Sequence, residues 1–103
     1  PIDYLVWSKM YFNPIVAVLS ELRNIDHISV GSNVYSMDWD IIARYLKSKS
    51  HHMVAGDFEG FDASEQSDIL YAAGEVLQEL SRKIFHCTEE EILQQRAIIH
   101  SLV

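Results

Sequence analysis

Met53-Val54-Ala55-Gly56-Asp57-Phe58-Glu59-Gly60-Phe61-Asp62-Ala63-Ser64 is the stretch on which the reading of this chain turns. It opens with an apolar run and holds two aspartates five positions apart, and a helical pattern follows it. In an extended backbone Met53, Ala55 and Asp57 share one face, with Val54 and Gly56 on the other. Both faces are nearly apolar. The pattern from His51 to Asp57 therefore predicts a short strand buried on both sides, with Asp57 at its end. Gly56 leaves room for another backbone or a ligand to come close. Two carboxylates in this setting suit three uses: holding a hard cation, reading a sugar hydroxyl, or closing a turn and capping a helix. Spacing leaves all three open.

Outward from that stretch, the chain reads as helical. Asp62-Ala63-Ser64-Glu65 has the form of a capping box ahead of an amphipathic helix with Ile69, Ala72, Ala73, Val76, Leu77 and Leu80 as its apolar positions. Thr88-Glu89-Glu90-Glu91 is a second capping box and starts a last helix, with Ile92, Leu93, Ile98 and Leu102 as its apolar contacts. On the amino-terminal side, Ser36 reads as a helix cap with Asp38 and Asp40 in the first turn and Lys47 and Lys49 at the end. Trp39, Ile42 and Leu46 would line one face of that helix. Ile25 to Tyr35, with Gly31-Ser32-Asn33, should be extended or turning. Tyr4 to Arg23 has helical periodicity, but Asn13-Pro14 predicts two pieces, the second starting at Pro14.

The expected fold class is therefore α/β (α+β), mostly helical with one short buried strand. A single strand cannot pair its own backbone groups, and buried unpaired groups are costly. Its partners are thus expected outside these 103 residues. The opening Pro1-Ile2-Asp3-Tyr4 has neither an initiator methionine nor a secretion signal, which also points to an internal piece of a longer chain.

Bulk properties narrow the function. The composition, 49% hydrophobic and 22% charged, is that of a folded domain rather than a disordered one. No apolar run approaches the roughly 18 residues that span a bilayer. A net charge of −7 argues against a large nucleic-acid surface within the chain itself. Arg44, Lys47 and Lys49 are the one basic cluster, placed either to face phosphate or to complement a helix dipole. The lone Cys87 excludes an internal disulfide and fits a reducing compartment.

Other candidates read blandly. His51-His52 would point to opposite faces of a strand and so could not share one ion. His86-Cys87 has no base and orienting partner evident in sequence. No phosphate-cradling glycine loop is present. Tyr4, Trp7, Tyr11, Phe12 and Trp39 read as core anchors rather than base-stacking platforms.

Ala55-Gly56-Asp57-Phe58-Glu59-Gly60-Phe61-Asp62-Ala63-Ser64 resembles motif A of the RNA-dependent RNA polymerases of picorna-like positive-strand RNA viruses. That pattern is an aspartate, an aromatic, two variable residues, an aromatic, a second aspartate and small residues, and every position is matched here. Val30-Gly31-Ser32-Asn33-Val34 followed by Trp39 is similar to the segment leading from fingers to palm. Pro1-Ile2-Asp3-Tyr4 with Tyr11-Phe12 is similar to the helical region upstream, so the resemblance covers nearly the whole chain.

The resemblance implies part of the fingers–palm of a right-hand polymerase: 1–50 as fingers/palm connecting helices, 51–64 as the motif A strand and turn, and 65–103 as palm-side helices leading toward motif B. It implies RNA-templated RNA synthesis by a two-metal mechanism, with two Mg²⁺ or Mn²⁺ ions about 3.5–4 Å apart in the complete enzyme. Asp57 would be the catalytic metal ligand and the Phe58 carbonyl a further one. Asp62 would sense the ribose 2′-hydroxyl, and the backbone at Glu59, Gly60 and Phe61 would approach the triphosphate. Implied partners are an RNA template-primer, ribonucleoside triphosphates and the remaining palm, fingers and thumb of a parent polyprotein. The implied location is the host-cell cytoplasm, at membrane-associated replication complexes. The Gly-Asp-Asp of motif C and the residues of motif B are not in the sequence, so this chain should be inactive alone. Two rivals stand beside this reading. One is a small helical interaction domain without catalysis, and the other a reverse-transcriptase-like polymerase, for which a polar Asp62 is the wrong residue at the ribose.

Overall fold

Five helices are present among the residues that the computed structural model describes, 1–23 and 27–103: α1 (Ile2–Glu21), α2 (Asp38–Lys49), α3 (Phe61–Ser64), α4 (Ser67–Phe85) and α5 (Glu89–Leu102). They divide into two compact units, one of Pro1–Val16 with Gly60–Val103 and one of Ala17–Glu59.

The first unit is built on the α4–α5 hairpin. Thr88 caps α5 as its sequence requires: its hydroxyl accepts the Glu91 N–H, and the Glu91 carboxylate accepts the Thr88 N–H at 2.7 Å. Before it, α4 ends on His86 in the left-handed conformation, φ 52°, whose N–H returns to the Arg82 carbonyl. Arg82 is paired with Glu79 and Glu89 across the reversal, and the Glu79 hydrogen bond pushes its guanidinium pKa further up.

The two helices run antiparallel, with Gly74 opposite Ile99 and Ser81 hydrogen-bonded to Gln95. Gly74 matters here because a Cβ would lie 2.6 Å from the Ile99 Cδ1. The inward face of α4 is accordingly Gly74, Gln78 and Ser81, small or polar residues that let α5 approach. Ile69 and Val76, expected on that face, are exposed, Val76 to 60%. In α5, Ile92 and Ile98 are buried as expected, whereas Leu93 and Leu102 are exposed.

The amino-terminal part of α1 lies on this hairpin. Tyr4 donates to the Ile98 carbonyl or shares a bond with Ser101, Trp7 Nε1 donates to Gln94 at 3.1 Å, and Gln95 Nε2 donates to the Tyr11 carbonyl at 3.0 Å. Tyr4 and Trp7 meet edge to face, so these two aromatics are packing anchors. Further along α1, Ile15 is buried in the core.

Three sequence expectations are corrected here. The proline does not divide the first helix: α1 runs through Pro14 without a break. Proline costs a helix one hydrogen bond, here the one to the Met10 carbonyl, and crowds the preceding turn; next to it Ile15 is buried and Gln95 donates to the Tyr11 carbonyl, so this part of α1 is anchored by tertiary contacts. The capping box at Asp62 does not form, since α3 and α4 start at Gly60 and Gln66 with no side-chain cap.

The largest correction concerns the fold class. The structure is 69% helical, with no strand among the described residues. His51 to Asp57 is irregular and exposed, with Val54 fully so. An apolar run forms a buried strand only where neighbouring strands take up its N–H and C=O groups; lacking them here, the segment leaves its backbone to water.

The second unit is held by a polar clamp. Arg23 Nε donates to Asp38 at 3.1 Å, and the same carboxylate oxygen accepts the Asn33 N–H at 3.1 Å. Asn33 closes the turn: its Oδ1 accepts the Tyr35 N–H, and its carbonyl accepts from Ser36. Ser36 Oγ in turn accepts the Asp38 N–H. Gly31 is required at φ 94°, with Ser20 so near that a Cβ would sit 2.8 Å from its Cβ. Residues 27–35 are irregular and turning, as expected; Ile25 and Asp26, at the start of that expected segment, lie outside the described residues. No residue of α2 is buried, and Trp39 is exposed, so it is not the core anchor its type suggested.

Candidate functional site

Residues 55–64 begin in the exposed irregular segment and end in the one-turn helix α3. Among the described residues nothing lies within 4 Å of where a Cβ on Gly56 would be. Asp57, Phe58 and Glu59 follow it, all exposed. Gly60 then turns left-handed, φ 63°, and its carbonyl accepts the Ala63 and Ser64 N–H groups, which winds Phe61–Ser64 into α3. Glycine is needed there because the left-handed region disfavours side chains. Asp62 is an exposed carboxylate in the first turn of α3, where an acid complements the helix dipole. Asp57 belongs to the second unit and Asp62 to the first.

The donor chemistry of Asp57 suits a hard divalent cation, which takes oxygen ligands. One carboxylate does not complete such a site. Among the described residues no group of three or more His, Cys, Asp or Glu is arranged to hold a metal ion. Asp57 and the Phe58 carbonyl could therefore hold such a cation only as part of a larger set of ligands.

The remaining candidates fall to structural roles. Lys47 and Lys49 occupy the last turn of α2, Arg44 pairs with Asp40 at 2.8 Å, and Lys49 lies over the Tyr45 ring. His51 and His52 are exposed in the irregular segment. Burial, then the neighbouring Glu91 charge, push the Cys87 thiol pKa up, so it is a poorer nucleophile than a free cysteine.

What sequence reasoning missed is Asp38, placed at a helix start for its charge alone. It is the centre of the clamp, and the Asn33 N–H followed by the Arg23 guanidinium holds its pKa below the usual aspartate range. The available signal was Asn33 with an acid five residues on, the spacing of a turn closed by a side chain.

Comparison with known proteins places the chain. A family model described as viral RNA-dependent RNA polymerase matches residues 1–103, and the chain belongs to that family. It is similar to the replicase polyprotein of Drosophila C virus (strain EB), 44% identical over 72 residues and 70% of this chain. It is likewise 41% identical over 64 residues, 62% of the chain, to the replicase polyprotein of Acute bee paralysis virus, and 44% identical over 64 residues to that of Cricket paralysis virus. The chain spans only 3–4% of the length of these relatives. No solved structure matches it.

Proposed function

We propose that this chain supplies motif A to an RNA-templated RNA polymerase that replicates a viral genome. The observation that carries the reading is the pair Asp57 and Asp62, with Phe58 and Phe61 between them, inside a chain matched along its whole length by the polymerase family. The relatives' names as replicase polyproteins support the same activity.

In this reading Asp57 contributes a carboxylate, and Phe58 a backbone carbonyl, to a divalent-metal centre whose other ligands lie outside the chain. When bound, the cations supply Lewis-acid stabilisation of the attacking and leaving oxygens in nucleotidyl transfer. Space at Gly56 favours this use, since among the described residues nothing lies within 4 Å of where its Cβ would be. Asp62 accepts a hydrogen bond from the ribose 2′-hydroxyl, the group that separates ribonucleotides from deoxyribonucleotides. The backbone at Glu59, Gly60 and Phe61 approaches the triphosphate, with the left-handed Gly60 allowing the turn. RNA template-primer and ribonucleoside triphosphates are the substrates, and the rest of the palm, fingers and thumb completes the enzyme.

Two variants of the parent polymerase test the assignment. Asp57→Ala should reduce templated incorporation to background while RNA binding persists, and retained synthesis would overturn the metal role. Asp62→Asn should keep incorporation but erode the preference for ribonucleotides, and an unchanged preference would remove the ribose role. Residues 1–103 alone should incorporate no nucleotide.

A further inference from the structure

Three polar side-chain atoms inside the first unit are shut off from water and have no hydrogen-bond partner among the described residues: the Ser8 hydroxyl, Nε2 of Gln78 and Oε1 of Gln95. Leaving such atoms orphaned is costly, and folded proteins rarely do it. They come from three different helices, and the contacts around them fix their levels. On α1, Ser8 lies one turn from Tyr4, which bonds the Ile98 carbonyl, and about one turn from Tyr11, whose carbonyl accepts from Gln95. On α4, Gln78 lies about one turn from Gly74, which abuts Ile99, and from Ser81, which bonds Gln95. Both therefore stand at the Gln95–Ile98 level of α5. Their chemistry is complementary as well: Gln78 offers a donor, Gln95 an acceptor, and a serine hydroxyl is both.

We propose that Ser8, Gln78 and Gln95 form one internal polar node, joined through a single shared water, that sets the register in which α1 docks on the α4–α5 hairpin. Apolar contact is non-directional, so Ile15, Ile92 and Ile98 alone favour burial without fixing one register. A node that draws one partner from each helix is satisfied only when all three stand at the same level. A slip of one turn would leave three buried polar atoms unpaired. The proposal does not depend on the catalytic reading of Asp57.

A crystal structure of the parent polymerase that shows ordered waters tests it directly. The expected result is the three atoms in one hydrogen-bond network, and separate partners for each would overturn the node. Gln78→Met in the same polymerase, which keeps the length and removes the donor, gives a second readout. Hydrogen exchange should become several-fold faster in α1 and α5 as well as in α4. Exchange that is unchanged, or faster in α4 alone, would show that no node couples the helices.

Discussion

Two apolar stretches of this chain have opposite fates. Ile92 and Ile98 of α5 are almost wholly buried, while Met53 and Val54, just as apolar, stand in water. The difference lies in what surrounds them. The α5 residues face α4 and α1, and their backbone groups are satisfied within their own helix. The Met53–Gly56 backbone has no neighbouring strand among the described residues. A helix closes its own hydrogen bonds and needs only one apolar contact face, whereas a strand needs partners before it can be buried.

That contrast can be broken by substitution. Ile98→Ala should cost about 2–5 kcal/mol, the usual range for a large-to-small change in a packed core. It would be read as lost protection from hydrogen exchange across both helices of the hairpin, and a loss confined to one turn would mean that the core is not shared. Thr88→Ala removes the cap and should cost about 1 kcal/mol, with fraying limited to the first turn of α5.

In the second unit, the clamp responds to acid. The carboxyl pKa of Asp38 is lowered on folding, so its stabilisation is present above the ordinary aspartate value of about 3.9 and is lost as pH falls through the lower folded value. The Asn33 amide resonance should follow that titration and should stop doing so in Asp38→Asn. Val54→Ala completes the comparison from the other side: a fully exposed side chain should change stability by no more than about 0.5 kcal/mol. A loss as large as that of Ile98→Ala would mean that the segment packs on something after all.

The same contrast explains what could be read in advance. The Thr88–Glu91 capping box was legible because both bonds close within four residues, as was the helical character of α4 and α5. The docking face of α4 was not, because Gly74, Gln78 and Ser81 carry no hydrophobic signal and their role depends on Ile99 and Gln95 from another helix. Continuity through Pro14 was hidden as well, since the contacts that anchor α1 beside it, such as the Gln95 bond to the Tyr11 carbonyl, come from another helix. Of the candidate site, only the candidates themselves, from Asp57 to Asp62, were legible, as a sequence pattern whose roles are proposed above. Its completion was not, because a lone carboxylate cannot specify a coordination shell whose other members lie elsewhere.

His86 carries one more consequence. Most helices that end in a left-handed residue use glycine there, which offers no side chain to observe. Here the reversal between α4 and α5 is made by an exposed imidazole. Its ring protons resonate apart from the crowded aliphatic spectrum, so this corner of the hairpin comes with its own native spectroscopic label.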